Sequence, residues 1–270
     1  MTDAMRVGIA GLGAIGRAVA QKIHQGAIPK MELCGVAVRD CAKAQGFLKE
    51  IGCNAPILSI GELAARSDLV IECAPPASMV EIAAPVLAAG KKIMVLSAGM
   101  LLKHPELIAL AKEHGGQIIV PTGALIGFDA VSAAAEGQIQ SVTMITRKPI
   151  KGLMGASYLV NNKIEIEGLT QAKRVFQGSA REAAIGFPEN VNVAAALSLA
   201  GIGPDRTTIE IWADPSIERN MHRVVVEADS ARFEMSIENV PSENPKTGRI
   251  TALSALAALR KMTAPLRVGT

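Results

Sequence analysis

Aromatic residues are scarce: the 270 residues include five Phe, one Tyr and one Trp. A nucleic-acid reader built on base stacking lacks its platforms here. Positive charge is not in excess either. Lys and Arg number 28 against 25 Asp and Glu, a formal net charge of +3, and no polybasic run occurs, which argues against a phosphate-backbone partner. No uninterrupted apolar stretch approaches the roughly 18 residues of a spanning helix. The opening Met1-Thr2-Asp3-Ala4 leads into a strand-like segment without a basic and apolar leader, so a soluble cytoplasmic protein is expected. Four cysteines, Cys34, Cys41, Cys53 and Cys73, lie in the first third without CxxC spacing. Neither a disulfide framework nor a metal site is expected from them. What is abundant is aliphatic: 49% of residues are hydrophobic against 20% charged, a globular composition in a chain long enough for one large domain or two modest ones.

From Met5 to about Val120, short apolar runs alternate with helical stretches, as in a parallel sheet wound with crossover helices. Strands are predicted at Arg6–Ala10, Glu32–Val38, Pro56–Ser59, Leu69–Ala74, Lys92–Leu96 and Gln117–Val120. Helices are predicted near Ala14–Gln25, Cys41–Ile51, Ile60–Ala65, Ser78–Ala89 and Pro105–His114. Ser59-Ile60-Gly61-Glu62 has the form of a capping box, and Gly90 and Gly115 stand where a helix end favours positive φ. After Pro121 the rhythm changes. Ile139–Thr146, Thr208–Ala213, His222–Glu227 and Arg232–Ile237 read as strands of a mainly antiparallel sheet, the last two joined by a short turn. Ser179-Ala180-Arg181-Glu182 is a second capping box, and Val191–Ala200 is apolar nearly all round. The tail Gly248–Met262 reads as a helix that packs back on the first domain. The expected fold is therefore α/β, with residues 1–121 forming a Rossmann-type parallel-sheet domain completed by a C-terminal helix within 245–270. Residues 122–244 form a second α/β domain.

Gly11-Leu12-Gly13-Ala14-Ile15-Gly16 follows a strand and opens a helix. In that setting the first glycine permits a tight turn, the second admits a pyrophosphate to the backbone, and the third allows close helix–strand packing. Dinucleotide binding is expected at Gly11, Gly13, Ala14, Ile15 and Gly16. The second strand ends in Arg39-Asp40, where an acid suits the ribose hydroxyls of NAD and an arginine the 2′-phosphate of NADP. Both chemistries stand side by side, so either cofactor is expected. Ala74-Pro75 and Ser97-Ala98, at the carboxyl ends of two further strands, are candidate walls for the nicotinamide. In the same loops, Ser78 is a candidate cap for the following helix.

At Pro121-Thr122-Gly123-Ala124 a glycine-rich turn opens a helix where the architecture changes. Proton transfer near neutral pH points to histidine. His24, His104 and His114 sit at helix ends of the first domain, and His222 is the one histidine in the second. Strand alternation places Asn220, His222, Val224 and Val226 on one face, a pattern open both to catalysis and to a satisfied core histidine. Arg147-Lys148-Pro149 supplies positive charge for an acidic substrate.

Taken together, several of these segments resemble the L-aspartate dehydrogenase family. They are the glycine motif, Glu72-Cys73-Ala74, Ser97-Ala98-Gly99-Met100, Pro121-Thr122-Gly123-Ala124, Thr146-Arg147-Lys148-Pro149, Phe187-Pro188-Glu189-Asn190-Val191-Asn192-Val193-Ala194, and Asp214-Pro215 through Asn220-Met221-His222. The resemblance implies a Rossmann domain with a substrate and dimerisation domain, a homodimer, and NAD(P)-dependent oxidation of L-aspartate to iminoaspartate on a route to NAD. It implies His222 as the catalytic residue, and Ala124 and Asn192 as cofactor contacts. A dicarboxylate needs two anion contacts, for which Gly123, Arg147, Lys148, Asn190 and Asn220 are candidates. Another two-domain NAD(P) oxidoreductase of amino or oxo acids, or a non-catalytic NAD(P)H sensor, stays open.

Overall fold

The computed structural model describes residues 4–188, 191–241 and 248–269. The chain forms two compact units, one of Met1–Pro121 with Ala252–Arg267 and one of Thr122–Thr251 with Val268–Thr270.

In the first unit, strands β1 (Met5–Ala10), β2 (Met31–Ala37), β3 (Leu69–Glu72), β4 (Lys92–Val95) and β5 (Gln117–Ile119) form one sheet of order β2-β1-β3-β4-β5. All its pairings are parallel. Val7, Ile9, Leu69, Val70, Ile71, Ile93 and Met94 are fully buried, as strands covered on both faces require. Helices α1 (Ala14–His24), α2 (Cys41–Glu50), α3 (Ile60–Arg66), α4 (Met79–Ala88), α5 (Gly99–Lys103) and α6 (Glu106–His114) make the crossovers. The capping box at α3 is formed: Ser59 accepts from the Glu62 amide, and the Glu62 carboxylate accepts from the Ser59 amide and hydroxyl. Gly115 closes α6 in the left-handed region at φ 70°.

The second unit holds α7 (Phe128–Ala135), β6 (Ile139–Lys148), α8 (Ser157–Asn161), β7 (Lys173–Ser179), α9 (Ala180–Gly186), α10 (Asn192–Ala200), β8 (Thr207–Ala213), β9 (Asn220–Ala228) and β10 (Arg232–Asn239). Its sheet runs β10-β9-β6-β8-β7, antiparallel except for β6 with β8. Alternation divides the faces: Val142, Met144, Thr146 and Lys148 of β6 are buried, as are His222, Val224 and Val226 of β9, while Arg147 and Arg223 point the other way and are exposed. Helix α9 packs on β7 and β8, and α10 on α9 and α7. The tail forms α11 (Ile250–Thr263), whose Ala255 and Leu259 enter the core built by Val7, Ile9, Val19 and Ile71 of the first unit.

Three local expectations need correction. The segment Pro56–Ser59 makes only a single parallel bridge, Ile57 to Val36, and no strand. Strand β7 and the short helices α5 and α8 were not anticipated, because each is too brief or too polar to show a period. Ser78 precedes α4, yet its hydroxyl does not cap it; it accepts from Arg39 instead.

Candidate functional site

The order β2-β1-β3 makes β1 the point where the winding of the first sheet reverses, and the carboxyl ends of these three strands frame a crevice there. A cavity of about 570 Å³ occupies it, lined by Gly11, Leu12 and Gly13 after β1, Arg39, Asp40 and Lys43 after β2, and Ala74, Pro75 and Ser78 after β3. The three glycines divide their work as the motif requires. Gly11 sits at φ 97°, and a Cβ there would lie 2.6 Å from the Cys73 carbonyl oxygen. A Cβ on Gly16 would collide with the Gly11 carbonyl, whereas one on Gly13 would meet nothing within 4 Å. The middle glycine thus offers bare, open backbone at the N-cap of α1, a helix with no side-chain cap. This is the cradle a pyrophosphate fits.

Glu72, at the end of β3, is fully buried. One carboxylate oxygen accepts from the Ala74 amide (3.1 Å) and the Ser97 hydroxyl (3.1 Å). The other accepts from the Leu96 and Ser97 amides at 3.1 and 2.9 Å. Burial pushes its carboxyl above the ordinary range, and these hydrogen bonds offset only part of that rise. Glu72 therefore ties together the loops that follow β3 and β4. The Ser97 hydroxyl, expected in the cofactor wall, is a support for that tie, and Ser97 and Ala98 are both buried.

In the second unit, paired strands bring Thr146 opposite His222. The Thr146 hydroxyl lies 3.1 Å from His222 Nδ1. Both side chains are buried, as is Lys148 on the same face. Desolvation first, and then the Lys148 cation, push the His222 pKa down to about 3. Desolvation alone brings Lys148 down to about 8. At neutral pH the imidazole is uncharged and Lys148 is close to its own titration point. The 3-10 turn Ile150–Gly152 folds back over this end of the sheet: a Cβ on Gly152 would lie 3.8 Å from Asn220 Oδ1 and 3.9 Å from Lys148 Cβ. A cavity of about 810 Å³ opens beside it, lined by Pro149–Gly152, Met154–Ser157, Phe187, Pro188, Pro215, Glu218 and Asn220.

Arg147 requires a correction. As the neighbour of Thr146 and Lys148 in a strand, it projects from the opposite face. Its guanidinium pairs with Asp214 at 3.2 Å and lies 5.5 Å from the Trp212 ring centroid. The Ser216 hydroxyl and amide, together with Arg147, hold the Asp214 carboxyl below the usual range. Arg147 thus supports the fold on the face away from His222.

The comparisons with known proteins agree along the whole chain. Residues 129–262 match the family described as aspartate dehydrogenase, C-terminal. Residues 11–121 match the homoserine dehydrogenase NAD binding domain. The L-aspartate dehydrogenase of Bradyrhizobium diazoefficiens is 56% identical over 266 residues, which cover 98% of this chain and 94% of that protein. The chain belongs to the L-aspartate dehydrogenase family. L-aspartate dehydrogenase 3 of Bordetella bronchiseptica is 52% identical over 268 residues, covering 99% and 98% of the two chains. Among solved structures, the aspartate dehydrogenase of Thermotoga maritima matches with a TM-score of 0.75 at 24% identity, covering 98% of this chain and 99% of that one. The resemblance carried by the motifs and the two-domain α/β fold are both borne out.

Within this L-aspartate dehydrogenase family member, the remaining expected residues are distributed as follows. Ala14, Ile15 and Gly16 form the first turn of α1 and are not among the residues lining the cavity. Asp40 is the N-cap of α2 and accepts from the Lys43 amide at 2.9 Å. Gly123 holds φ 65°, and the Ala124 carbonyl accepts from Asn239 Nδ2 at 2.9 Å. Asn192 opens α10, and Asn190 lies outside the described residues. Sequence reasoning missed Thr146 as the partner of His222, and it missed Asn239. A Thr two residues before a Lys at a strand end was the available signal for the first; the second needed the pairing of β9 with β10. Among the described residues, no group of three or more His, Cys, Asp or Glu stands ready to hold a metal, and no helix is long and apolar enough to cross a membrane.

Proposed function

We propose that this protein oxidises L-aspartate to iminoaspartate with NAD or NADP, as a cytoplasmic homodimer whose product enters NAD biosynthesis. The observation that carries the chemistry is the buried His222, Thr146 and Lys148 cluster, in a unit matched by the aspartate dehydrogenase C-terminal family and next to Gly152 and Asn220, which line a cavity. When bound, the nicotinamide supplies the hydride acceptor for the Cα hydrogen. Loss of that hydride requires an uncharged amine, so the substrate ammonium must give up a proton. His222 is the acceptor, because burial keeps its imidazole neutral at working pH. In the tautomer that serves this role, Nδ1–H donates to Thr146 Oγ1, leaving Nε2 as the base.

The two negative charges of the substrate reverse the electrostatics of the site. They offset the desolvation of Lys148 and favour its ammonium, and they also favour a protonated His222 once the proton has moved. Lys148 and Asn220 are the candidates to receive a carboxylate, with Gly123 and the adjoining loop for the second. Gly11, Gly13, Ala74 and Pro75 hold the dinucleotide, Glu72 fixes the loops around it, and Ala124 and Asn192 are the further contacts that the family resemblance implies. What supports the homodimer is the face of the second sheet opposite His222. There half-buried Ile145, Trp212 and Val225 lie among the mutually neutralising pairs Arg223–Glu234 and Arg232–Glu227.

The test is the absorbance of reduced nicotinamide with L-aspartate and either cofactor, run beside a panel of amino and hydroxy acids. Turnover with L-aspartate above all others is the expected result. Faster turnover with another acid, or none with any of them, overturns the assignment.

A further inference from the structure

We propose that the nucleotide cavity of the first unit selects the 2′-phosphorylated dinucleotide, NADP(H), and that Arg39 and Lys43 are the residues that discriminate. The inference rests on the reading of the glycine loop as a dinucleotide cradle. A site that selects the unphosphorylated ribose needs a carboxylate at the end of β2 to accept from the 2′- and 3′-hydroxyls. The acid at that strand end is Asp40, and the fold commits it elsewhere. As the N-cap of the ten-residue helix α2, its Oδ1 accepts from the Lys43 amide at 2.9 Å. Its cap fixes the carboxylate's orientation, and turning both oxygens onto the 2′- and 3′-hydroxyls together would break the cap, at a cost of about 1 kcal/mol by the usual effect of losing an N-cap.

Arg39 is held in the opposite sense. Its Nη2 donates to Ser78 Oγ at 2.6 Å, which reaches from the end of β2 to the loop after β3, along the cavity wall. A guanidinium carries five N–H donors in a planar fork, and the Ser78 bond uses one of them while fixing the plane. Lys43, one turn into α2, lines the same cavity. The charges around the cavity are the cations Arg17, Arg39 and Lys43 and the anions Asp40 and Glu81. Arg17, also in the lining, is engaged already, its Nε donating to the Leu12 carbonyl at 3.1 Å and its guanidinium lying over the Phe47 ring. Ser59 is committed to its capping box. The side chains suited to a ligand at the end of β2 are thus two cations, and their chemistry is that of a phosphate monoester.

The experiment is calorimetric titration of the full chain with NADPH, NADH, 2′,5′-ADP and 5′-AMP at fixed, low ionic strength. NADPH should bind about tenfold or more tightly than NADH, as one or two charge-assisted hydrogen bonds imply. The preference for 2′,5′-ADP over 5′-AMP should match it and shrink as salt is raised. Arg39→Ala, and more fully Arg39→Ala with Lys43→Ala, should abolish that ratio by weakening NADPH far more than NADH. Both side chains are exposed, so the variants should fold, and their unfolding midpoints check this. NADH bound as tightly as NADPH, or a ratio unmoved in the double variant, overturns this inference and leaves the cofactor reading intact. Failure of both dinucleotides to bind overturns the cofactor reading and the inference with it.

Discussion

The two units surround their buried ionisable groups with different partners. In the first, the Glu72 carboxylate is surrounded by three backbone amides and a hydroxyl, so its charge is met by fixed dipoles and its position is set. In the second, His222 and Lys148 are buried on one sheet face with their charged forms disfavoured. A carboxylate satisfied on both oxygens is a scaffold, because moving it breaks several bonds at once. An imidazole held neutral and an ammonium brought near its titration point are placed to respond to a ligand that brings its own charge. Burial thus goes with a fixed hydrogen-bond tie in one unit and with titratable groups in the other.

That contrast can be broken most sharply at His222. His222→Ala should reduce turnover by about 10²–10⁴-fold while the cofactor still binds with its ordinary affinity, read by steady-state rates beside a binding isotherm. Near-normal turnover would remove His222 from the chemistry. Glu72→Gln should do the reverse in kind. An amide nitrogen facing backbone donors leaves buried groups unpaired, so urea unfolding should show a loss of about 1–3 kcal/mol per group left unsatisfied. The pH dependence conferred by His222 should be untouched, and a wild-type stability would deny Glu72 its scaffold role.

Acid provides a subtler test. His222 has its pKa lowered in the folded state from 6.5 to about 3, so between those values the unfolded chain binds a proton that the folded chain does not. Stability therefore falls as pH falls through the unfolded pKa, and the loss stops only near the folded one. From pH 7 to pH 5 this linkage amounts to about 2 kcal/mol. His222→Gln should lack that increment when urea midpoints are compared at the two pH values; an equal acid loss in both proteins would place the titration elsewhere. The smallest effect is expected at Arg147. Its exposed half and its pairing with Asp214 on the far face limit Arg147→Ala to about 1 kcal/mol of stability. The KM for L-aspartate should change less than about twofold. A large rise in KM would return Arg147 to the substrate site.

Much of this was legible from residue spacing. The glycine loop works only after a strand and before a helix, and Gly11, Gly13 and Gly16 stand in that setting with the separate roles the spacing implies. The capping boxes at Ser59 and Ser179 formed because each serine is followed three residues later by a glutamate. The alternation Asn220, His222, Val224, Val226 also held. The same alternation, carried through Val142, Met144, Thr146 and Lys148, already separates Lys148 from Arg147, and treating the basic cluster as one patch obscured it. Ser78 illustrates the opposite limit. Its position suggested a cap, but the hydroxyl goes to an arginine 39 residues away in the chain, a contact that no local pattern encodes.

By itself the sequence determined what period-bound physics can determine: the parallel and mixed sheets, the nucleotide-binding turn, the face on which His222 lies and the family. These depend on neighbours within a few residues, where backbone geometry repeats. The tertiary structure decided the rest, because protonation and hydrogen-bond commitment depend on groups brought together from distant strands. Burial beside Lys148 made His222 neutral, the junction of two loops made Glu72 a tie, and the cap of α2 engaged Asp40 while Ser78 engaged Arg39.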